Sequence, residues 1–180
     1  HDPRTGSPVD INIIKAQSPN TYRYLSEFKE ELEKRSLHKL WGKGNPFYAV
    51  YGIGPYTFYP YKVVWKRVSG KISGKAEFSA AVMGKVNDKF VGSKIIMPYE
   101  KLMLIPLKDE KEAHYVTAVL NSSIVQAVVA SYLVEQSISD ITKRIKVPKF
   151  DSKNALHVTL SELSQKAHKL ARKHREEKDE

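Results

Sequence analysis

The chain changes from helix-forming to sheet-forming composition in residues 52–67, which read GIGPYTFYPYKVVWKR. Glycine and proline open this stretch with turn chemistry, and the aromatic and β-branched residues that follow are typical of a strand. Eight of the 18 aromatic residues of the chain lie in residues 47–65. We therefore predict strands at Phe47–Tyr51 and Lys62–Arg67, separated by a turn.

The residues of this stretch allow two interpretations. Alternation along a strand favours Phe58, Val63 and Trp65 as sheet core, whereas the same aromatics on an exposed face would form a nucleic-acid surface. Lys66 and Arg67 indicate either a solvated strand edge or contacts to phosphate.

The remaining elements follow from apolar spacing and capping residues. Ser18 followed by Pro19 predicts the start of a helix that runs to about Arg35. Further strands are predicted at Val9–Ile14, Glu77–Val82, Lys89–Val91, Lys94–Ile96 and Leu102–Leu107. Further helices are predicted from the cap Asp109 to Leu120, over Ser123–Leu133 and from Ser161 onward, with Ile145–Phe150 extended. The pattern predicts an α+β fold: a mostly antiparallel, aromatic-rich sheet with an N-terminal helix and a C-terminal helical group.

Length and composition exclude several classes of protein. The 180 residues contain no Cys, so disulfide frameworks, Cys-ligated zinc and thiol nucleophiles are excluded, which favours a cytoplasmic protein. No apolar run approaches the ~20 residues of a membrane span, and we expect no membrane contact. We predict one domain at 9–172, preceded by a linker or expression scar at 1–8 and followed by a charged, frayed tail at 173–180.

The positive charge is concentrated in the middle of the chain. The net charge is +10, and residues 43–108 hold 11 basic and 3 acidic residues, so this block carries eight of the ten excess charges. A polyanionic partner is therefore expected. Lysines on loops rich in Gly and Ser either follow a phosphate backbone or keep an ordinary loop soluble; these are Lys71, Lys75, Lys85, Lys89 and Lys94.

Motifs for catalysis are missing from the sequence. No two histidines have metalloprotease spacing, no Gly-rich loop ends in Lys-Ser or Lys-Thr, and no acidic trio of a metal-dependent nuclease is evident. The stretch NPFY at 45–48 lacks the second proline of the base-holding motif of amino-methyltransferases. We predict no catalytic residue and no metal site in this chain.

A series of short motifs in fixed order carries a resemblance to a known family. The motifs are PNTY at 19–22, FYAVY at 47–51, YKVVW at 61–65, KIIMP at 94–98, IPL at 105–107, EAHY at 112–115, AVLNSS at 118–123 and IKVPKF at 145–150. Together they resemble the C-terminal, Taq-type specificity domain of adenine-specific DNA methyltransferases in type II and type IIG restriction-modification systems of prokaryotes.

The resemblance implies a target-recognition domain that is no enzyme by itself. In such systems a catalytic domain of the same parent polypeptide binds S-adenosylmethionine, flips out the adenine and methylates it, and this chain lacks that domain and binds no cofactor. The parent would be a methyltransferase or a fused methyltransferase-endonuclease. The expected partners are double-stranded DNA and the catalytic domain.

On this basis we predict two sets of contact residues. The predicted phosphate contacts are Lys43, Lys62, Lys66, Arg67, Lys71, Lys75 and Lys94. The predicted DNA-contact or base-reading residues are Tyr56, Thr57, Tyr59, Ser73, Asn87 and Lys89. Two other functions stay open, a module for single-stranded nucleic acid or RNA, and a protein-interaction domain that docks its apolar helix near Val128.

Overall fold

The α+β class is confirmed by the fold of the protein. The computed structural model describes residues 1–67, 71–72, 75–76, 78–132 and 141–179. It contains an antiparallel three-stranded sheet, helices at the N-terminus and a C-terminal helical group. The chain forms two compact units, the N-terminal unit His1–Phe58 and the C-terminal unit Tyr59–Glu180.

Short helices make up the N-terminal unit. They are α1 Ile11–Gln17, α2 Pro19–Glu27, α3 Lys29–Lys34, α4 Ser36–Trp41 and a 3-10 helix at Pro55–Phe58. The strand predicted at Val9–Ile14 is wrong, because the Asp10 side chain accepts a hydrogen bond from the Asn12 amide and caps α1. The long helix predicted from Pro19 is interrupted at Phe28 and ends at Lys34, since the Arg35 backbone is extended.

Arg35 explains why the predicted strand Phe47–Tyr51 is also wrong. Its guanidinium donates hydrogen bonds to the carbonyl oxygens of Phe47 and Ala49, both at 2.9 Å, and to the carbonyl of Leu32 at 2.7 Å. The Ala49 amide closes a turn onto Pro46 O at 2.9 Å. The Arg35 side chain and the turn at Pro46 therefore occupy backbone groups that a strand would offer to a neighbouring strand.

The first residues of the chain pack within the N-terminal unit. The imidazole of His1 bonds Gly6 O through Nδ1 at 2.8 Å and accepts from the Val50 amide through Nε2 at 2.9 Å. Gly6 has a positive φ of 73° and lies so close to Gly54 that an added Cβ would be 2.7 Å from Gly54 Cα. This segment, predicted to be a linker or expression scar, thus makes specific contacts.

A three-stranded sheet forms the centre of the C-terminal unit. Its strands are β1 Tyr61–Lys66, β4 Ala80–Met83 and β7 Leu102–Leu107, in the order β4-β1-β7, with β1 antiparallel to both neighbours. The described residues also form two hairpins, β2 Lys71–Ile72 with β3 Lys75–Ala76, and β5 Val86–Asp88 with β6 Gly92–Lys94. The predictions of β1 and β7 are confirmed.

The strands predicted at Lys89–Val91 and Lys94–Ile96 are misplaced. Residues 89–91 form the turn of the β5–β6 hairpin, and β6 ends at Lys94. The Asp88 side chain accepts hydrogen bonds from the amides of Phe90 and Val91. These bonds stabilise a turn directly after β5, where a strand was predicted.

The described residues after the sheet form the helices α5 Glu110–Leu120, α6 Ser123–Tyr132, α7 Ile141–Arg144 and α8 Ala155–Asp179. The predicted cap of α5 is confirmed, since Asp109 Oδ1 accepts from the Glu112 amide at 2.8 Å. Helix α8 begins six residues before the predicted Ser161, because Asn154 Oδ1 accepts from the Leu156 amide. It also continues through the predicted frayed tail, where Lys173 and Glu177 pair at 3.8 Å.

The core of the C-terminal unit lies between the sheet and the helices. Trp65 and Val63 of β1 are buried, which supports the sheet-core interpretation for both, and the same cluster includes Phe78, Ala80, Ala113, Leu120, Val125, Val129 and Ile141. Phe58, which that interpretation also placed in the sheet core, instead ends the 3-10 helix of the N-terminal unit and is half-buried.

Side chains satisfy the backbone along the outer side of β4. Gln126 donates to Phe78 O at 2.7 Å, and the Asn121 amide group both donates to Ala80 O and accepts from Ala80 N, each at 2.8 Å. The Val82 amide donates to Nε2 of His168 at 2.9 Å. These bonds attach α5, α6 and α8 to the sheet edge.

Candidate nucleic-acid interface

The β5–β6 hairpin presents three of the predicted contact residues together. Asn87 lies on β5, Lys89 in the turn and Lys94 on β6, and all three are exposed. Asn87 is paired with Ser93 in the register of the two strands, so two hydrogen-bonding side chains lie opposite each other.

The turn of the hairpin is held by Asp88 and Gly92. Gly92 has a φ of 69°, a conformation that favours glycine. The amides of Phe90 and Val91 donate to Asp88 at 2.8 and 3.0 Å, and these bonds hold the pKa of the Asp88 carboxyl below its usual value. Phe90 beyond them is 83% exposed, with Lys89 Nζ 4.8 Å from its ring centre.

The hairpin and its base carry uncompensated positive charge. Lys85, Lys89 and Lys94 make no ion pair within the residues that the structure describes. The acidic residue of this segment, Asp88, is bound to turn amides. The surface therefore attracts anions.

A second basic group lies where β1 ends. Lys66 and Arg67 are exposed, which fits both a solvated strand edge and the predicted phosphate contacts, and the Arg67 amide donates to Lys101 O at 2.9 Å. Lys101 is exposed and joins this group, although the sequence did not single it out. Pairing of β1 with β7 brings these cations together.

Lys62 does not fit the predicted contact with phosphate. It is only 1% exposed, and its ammonium donates to the carbonyl of Tyr59 at 2.9 Å. Burial lowers the pKa of Lys62, because the charged form loses hydration. A buried ammonium cannot reach a DNA backbone, so this prediction is corrected.

Thr57 is likewise buried, against its prediction as a DNA contact. Its hydroxyl accepts from the Gly54 amide at 3.3 Å inside the turn that leads into the 3-10 helix. Tyr56 is exposed, and its hydroxyl donates to the carbonyl of Gly52. Lys43 is exposed and belongs, with Tyr56 and Thr57, to the N-terminal unit.

The other predicted residues belong to the C-terminal unit. Tyr59 is half-buried, with Lys108 Nζ 5.1 Å from its ring centre. The backbones of Lys71 and Lys75 lie on β2 and β3, in register with Ala76 and Ile72. Ser73 lies outside the described residues.

A cleft beside β4 contains charged residues that the sequence did not predict. Its volume is about 430 Å³, and its lining includes Tyr61, Lys85, Glu110, His114, Lys169 and Arg172. The spacing of Lys169 and Arg172 places them on one helix face, a signal present in the sequence. The sequence alone did not indicate, however, which other residues lie next to this face of the helix.

His114 is the buried titratable group of this cleft. Its Nδ1 bonds Ser164 Oγ at 3.0 Å, and its ring meets that of His168 edge-on at 4.9 Å. Burial is the main cause that lowers the pKa of His114; His168 and Arg172 lower it further, and Glu110 opposes them. The folded chain therefore favours neutral His114.

Acidification is expected to destabilise the C-terminal unit through His114. The folded pKa lies below the ordinary value of 6.5, so the unfolded chain binds the proton first and the free energy of unfolding falls as pH drops below that value. We expect His114→Gln to reduce this dependence in urea unfolding between about pH 8 and pH 5. The matched control is His174→Gln, an exposed position on α8. An unchanged slope in His114→Gln would contradict the assignment.

The described ranges contain no group of three or more His, Asp or Glu side chains arranged to hold a metal ion. No single helix among them is both long and apolar enough to cross a membrane, and α5 with α6 meets the length and composition criteria only as a pair bent by 57°.

Comparisons with protein-family models, with curated proteins and with solved structures give no match to this chain.

Proposed function

We propose that this chain recognises a specific sequence in double-stranded DNA, as the target-recognition domain of a restriction-modification adenine methyltransferase. The observation that carries the proposal is the exposed β5–β6 hairpin, which combines Asn87 with Lys89 and Lys94, two cations that form no ion pair with the described part of the chain. The motif resemblance supports the type of parent enzyme. S-adenosylmethionine and the methyl transfer would belong to the catalytic domain.

The hairpin has the shape and chemistry for reading a groove. The major groove of B-DNA is about 12 Å wide and admits a two-stranded β-ribbon. An Asn amide can pair with both N6 and N7 of adenine, and Asn87 is an exposed residue of the ribbon. Lys89 and Lys94 would contact phosphates beside the groove, and Lys66 and Arg67 would add contacts from the end of β1.

A single-stranded nucleic acid is the second candidate. Phe90 exposes its ring next to Lys89, and an exposed aromatic beside a cation is typical of surfaces that stack unpaired bases. Competition between a duplex and its separate strands at one salt concentration distinguishes the two candidates.

Selection from a randomised duplex library, followed by anisotropy titrations, tests the proposal. We expect enrichment of one sequence, and a stronger affinity for that duplex than for a scrambled duplex or either strand. The double variant Lys89→Gln with Lys94→Gln should bind both duplexes about tenfold more weakly. The slope of log affinity against log salt concentration should become about 2 less steep, because each lost phosphate contact lowers it by about 0.9. Asn87→Ala should lower the affinity for the selected duplex about tenfold and leave the affinity for the scrambled duplex unchanged.

Two lysine variants serve as matched controls. Lys62→Met removes a buried ammonium and Lys166→Gln an exposed one on α8, outside the hairpin. Both should bind the selected duplex within about twofold of the unaltered chain. Failure to enrich any sequence, or tighter binding to single strands, would refute duplex recognition.

A further inference from the structure

The cleft beside β4 brings three cations together from distant parts of the chain. Lys85 follows β4, while Lys169 and Arg172 lie one turn apart on α8. All three are exposed and, within the described ranges, form no ion pair. Cations that converge without a carboxylate partner form a site for an anion.

The negative charge that lines the cleft does not cancel these cations. Glu110 is its acidic residue, and the hydroxyl of Tyr61 donates to Oε2 of Glu110 at 3.4 Å. Three cations against one carboxylate leave the cleft with an excess of two positive charges. A doubly charged anion would neutralise that excess.

The two histidines of the cleft, His114 and His168, differ in how many ring nitrogens are hydrogen-bonded. Nε2 of His168 accepts from the Val82 amide at 2.9 Å and its Nδ1 bonds the carbonyl of Ser164 at 2.8 Å, so both ring nitrogens are used. His114 uses Nδ1 toward Ser164 Oγ. When that hydroxyl donates, Nε2 of His114 carries a proton and can donate to an anion.

We propose that this cleft binds a phosphate group, with Lys85, Lys169 and Arg172 as its main contacts and His114 as an additional donor. The planar guanidinium of Arg172 can donate two parallel hydrogen bonds to phosphate oxygens, and the two ammonium groups add point charges. The volume of about 430 Å³ leaves room for the molecule to which the phosphate is attached. This proposal does not rest on DNA recognition, because a free phosphorylated compound and a DNA backbone offer the same group.

Titration of the full chain with inorganic phosphate, followed through the imidazole NMR signals, tests the cleft directly. We expect a saturable shift of the His114 signals, and affinity at least tenfold weaker when Lys169→Gln and Arg172→Gln are combined. Lys166→Gln, an exposed lysine of the same helix outside the cleft, should bind within about twofold of the unaltered chain. No saturable shift, or equal affinity in the double variant, would overturn the proposal.

A second readout uses sulfate, which keeps its double charge over the relevant pH range. The charged and titratable groups that line the cleft together with His114 are His168, Lys169, Arg172, Glu110, Lys85 and Tyr61. An anion among these cations favours protonated His114, so sulfate should raise the pKa of His114 in the unaltered chain and leave it unchanged in the double variant. Equal pKa values with and without sulfate would contradict binding beside His114.

Duplex DNA then identifies the source of the phosphate. If the double variant binds the selected duplex about tenfold more weakly, the cleft holds a backbone phosphate; if only inorganic phosphate binding is lost, it holds a free phosphorylated compound. Either result requires the phosphate site. The two proposals can fail independently. If the chain does not recognise DNA, the hairpin variants will not change DNA affinity, but inorganic phosphate will still bind the cleft.

Discussion

Replacing Trp65 by Ala is expected to lower the free energy of unfolding of the C-terminal unit by about 3–5 kcal/mol. Trp65 is 2% exposed, and its ring meets that of Phe78 edge-on at 6.4 Å. It shares a core with residues from the sheet and from the helices that follow it, so truncation would leave a cavity that one element alone cannot fill. Urea unfolding followed by far-UV circular dichroism measures the loss.

Trp41 provides a matched control for this substitution. It is 60% exposed in the N-terminal unit, where its ring contacts Tyr51 at 6.2 Å between ring centres. We expect Trp41→Ala to cost less than about 1 kcal/mol, because little buried area is lost. Equal costs at the two positions would show that Trp65 does not belong to a packed core.

Replacing Gly6 by Ala is expected to destabilise the N-terminal unit by about 2–5 kcal/mol. The positive φ of Gly6 costs a residue with a Cβ about 1–2 kcal/mol, and the new methyl would lie 2.7 Å from the backbone of Gly54, which adds about 1–3 kcal/mol of overpacking. Unfolding in urea, followed by Trp41 fluorescence in a Trp65→Phe background, reports on this unit.

Gly44→Ala separates the two causes. Gly44 has a similar φ of 83°, but no described atom beyond its two chain neighbours lies within 4 Å of an added Cβ. Its substitution should therefore cost only the backbone strain, about 1–2 kcal/mol. If Gly6→Ala and Gly44→Ala lower the free energy of unfolding equally, this would contradict the close contact between Gly6 and Gly54.

Elements with strong local signals were predictable from the sequence. The β-branched and aromatic residues of β1 and the apolar run of β7 predicted their strands, and Asp109 predicted the start of α5. Each signal lies within a few residues of the element it specifies, so no knowledge of distant contacts was needed.

Predictions failed where a distant residue decides the local conformation. The carbonyls of residues 47 and 49 are bound by Arg35, which no pattern within 47–51 could reveal. Lys62 looked like an outward-facing residue of an alternating strand, but β1 is the central strand and buries four consecutive residues from Lys62 to Trp65.

The candidate site was predictable to a similar extent. Asn87, Lys89 and Lys94 lie close in sequence and remain together on one exposed hairpin, so charge and composition were enough to propose them as a group. The phosphate cleft instead combines residues from Tyr61 to Arg172, which only the packing of α8 beside β4 assembles. Sequence separation of this size hides a site from any local pattern.

The side chains along the outer side of β4 make the two borders of the sheet unequal. Gln126, Asn121 and His168 bind the backbone at every second residue from 78 to 82, where another strand would otherwise bind. A strand from a second molecule could pair there only after displacing all three, so this border resists edge-to-edge aggregation. Extension of the sheet by a partner strand would have to occur beside β7, where Pro106 has no amide hydrogen to offer.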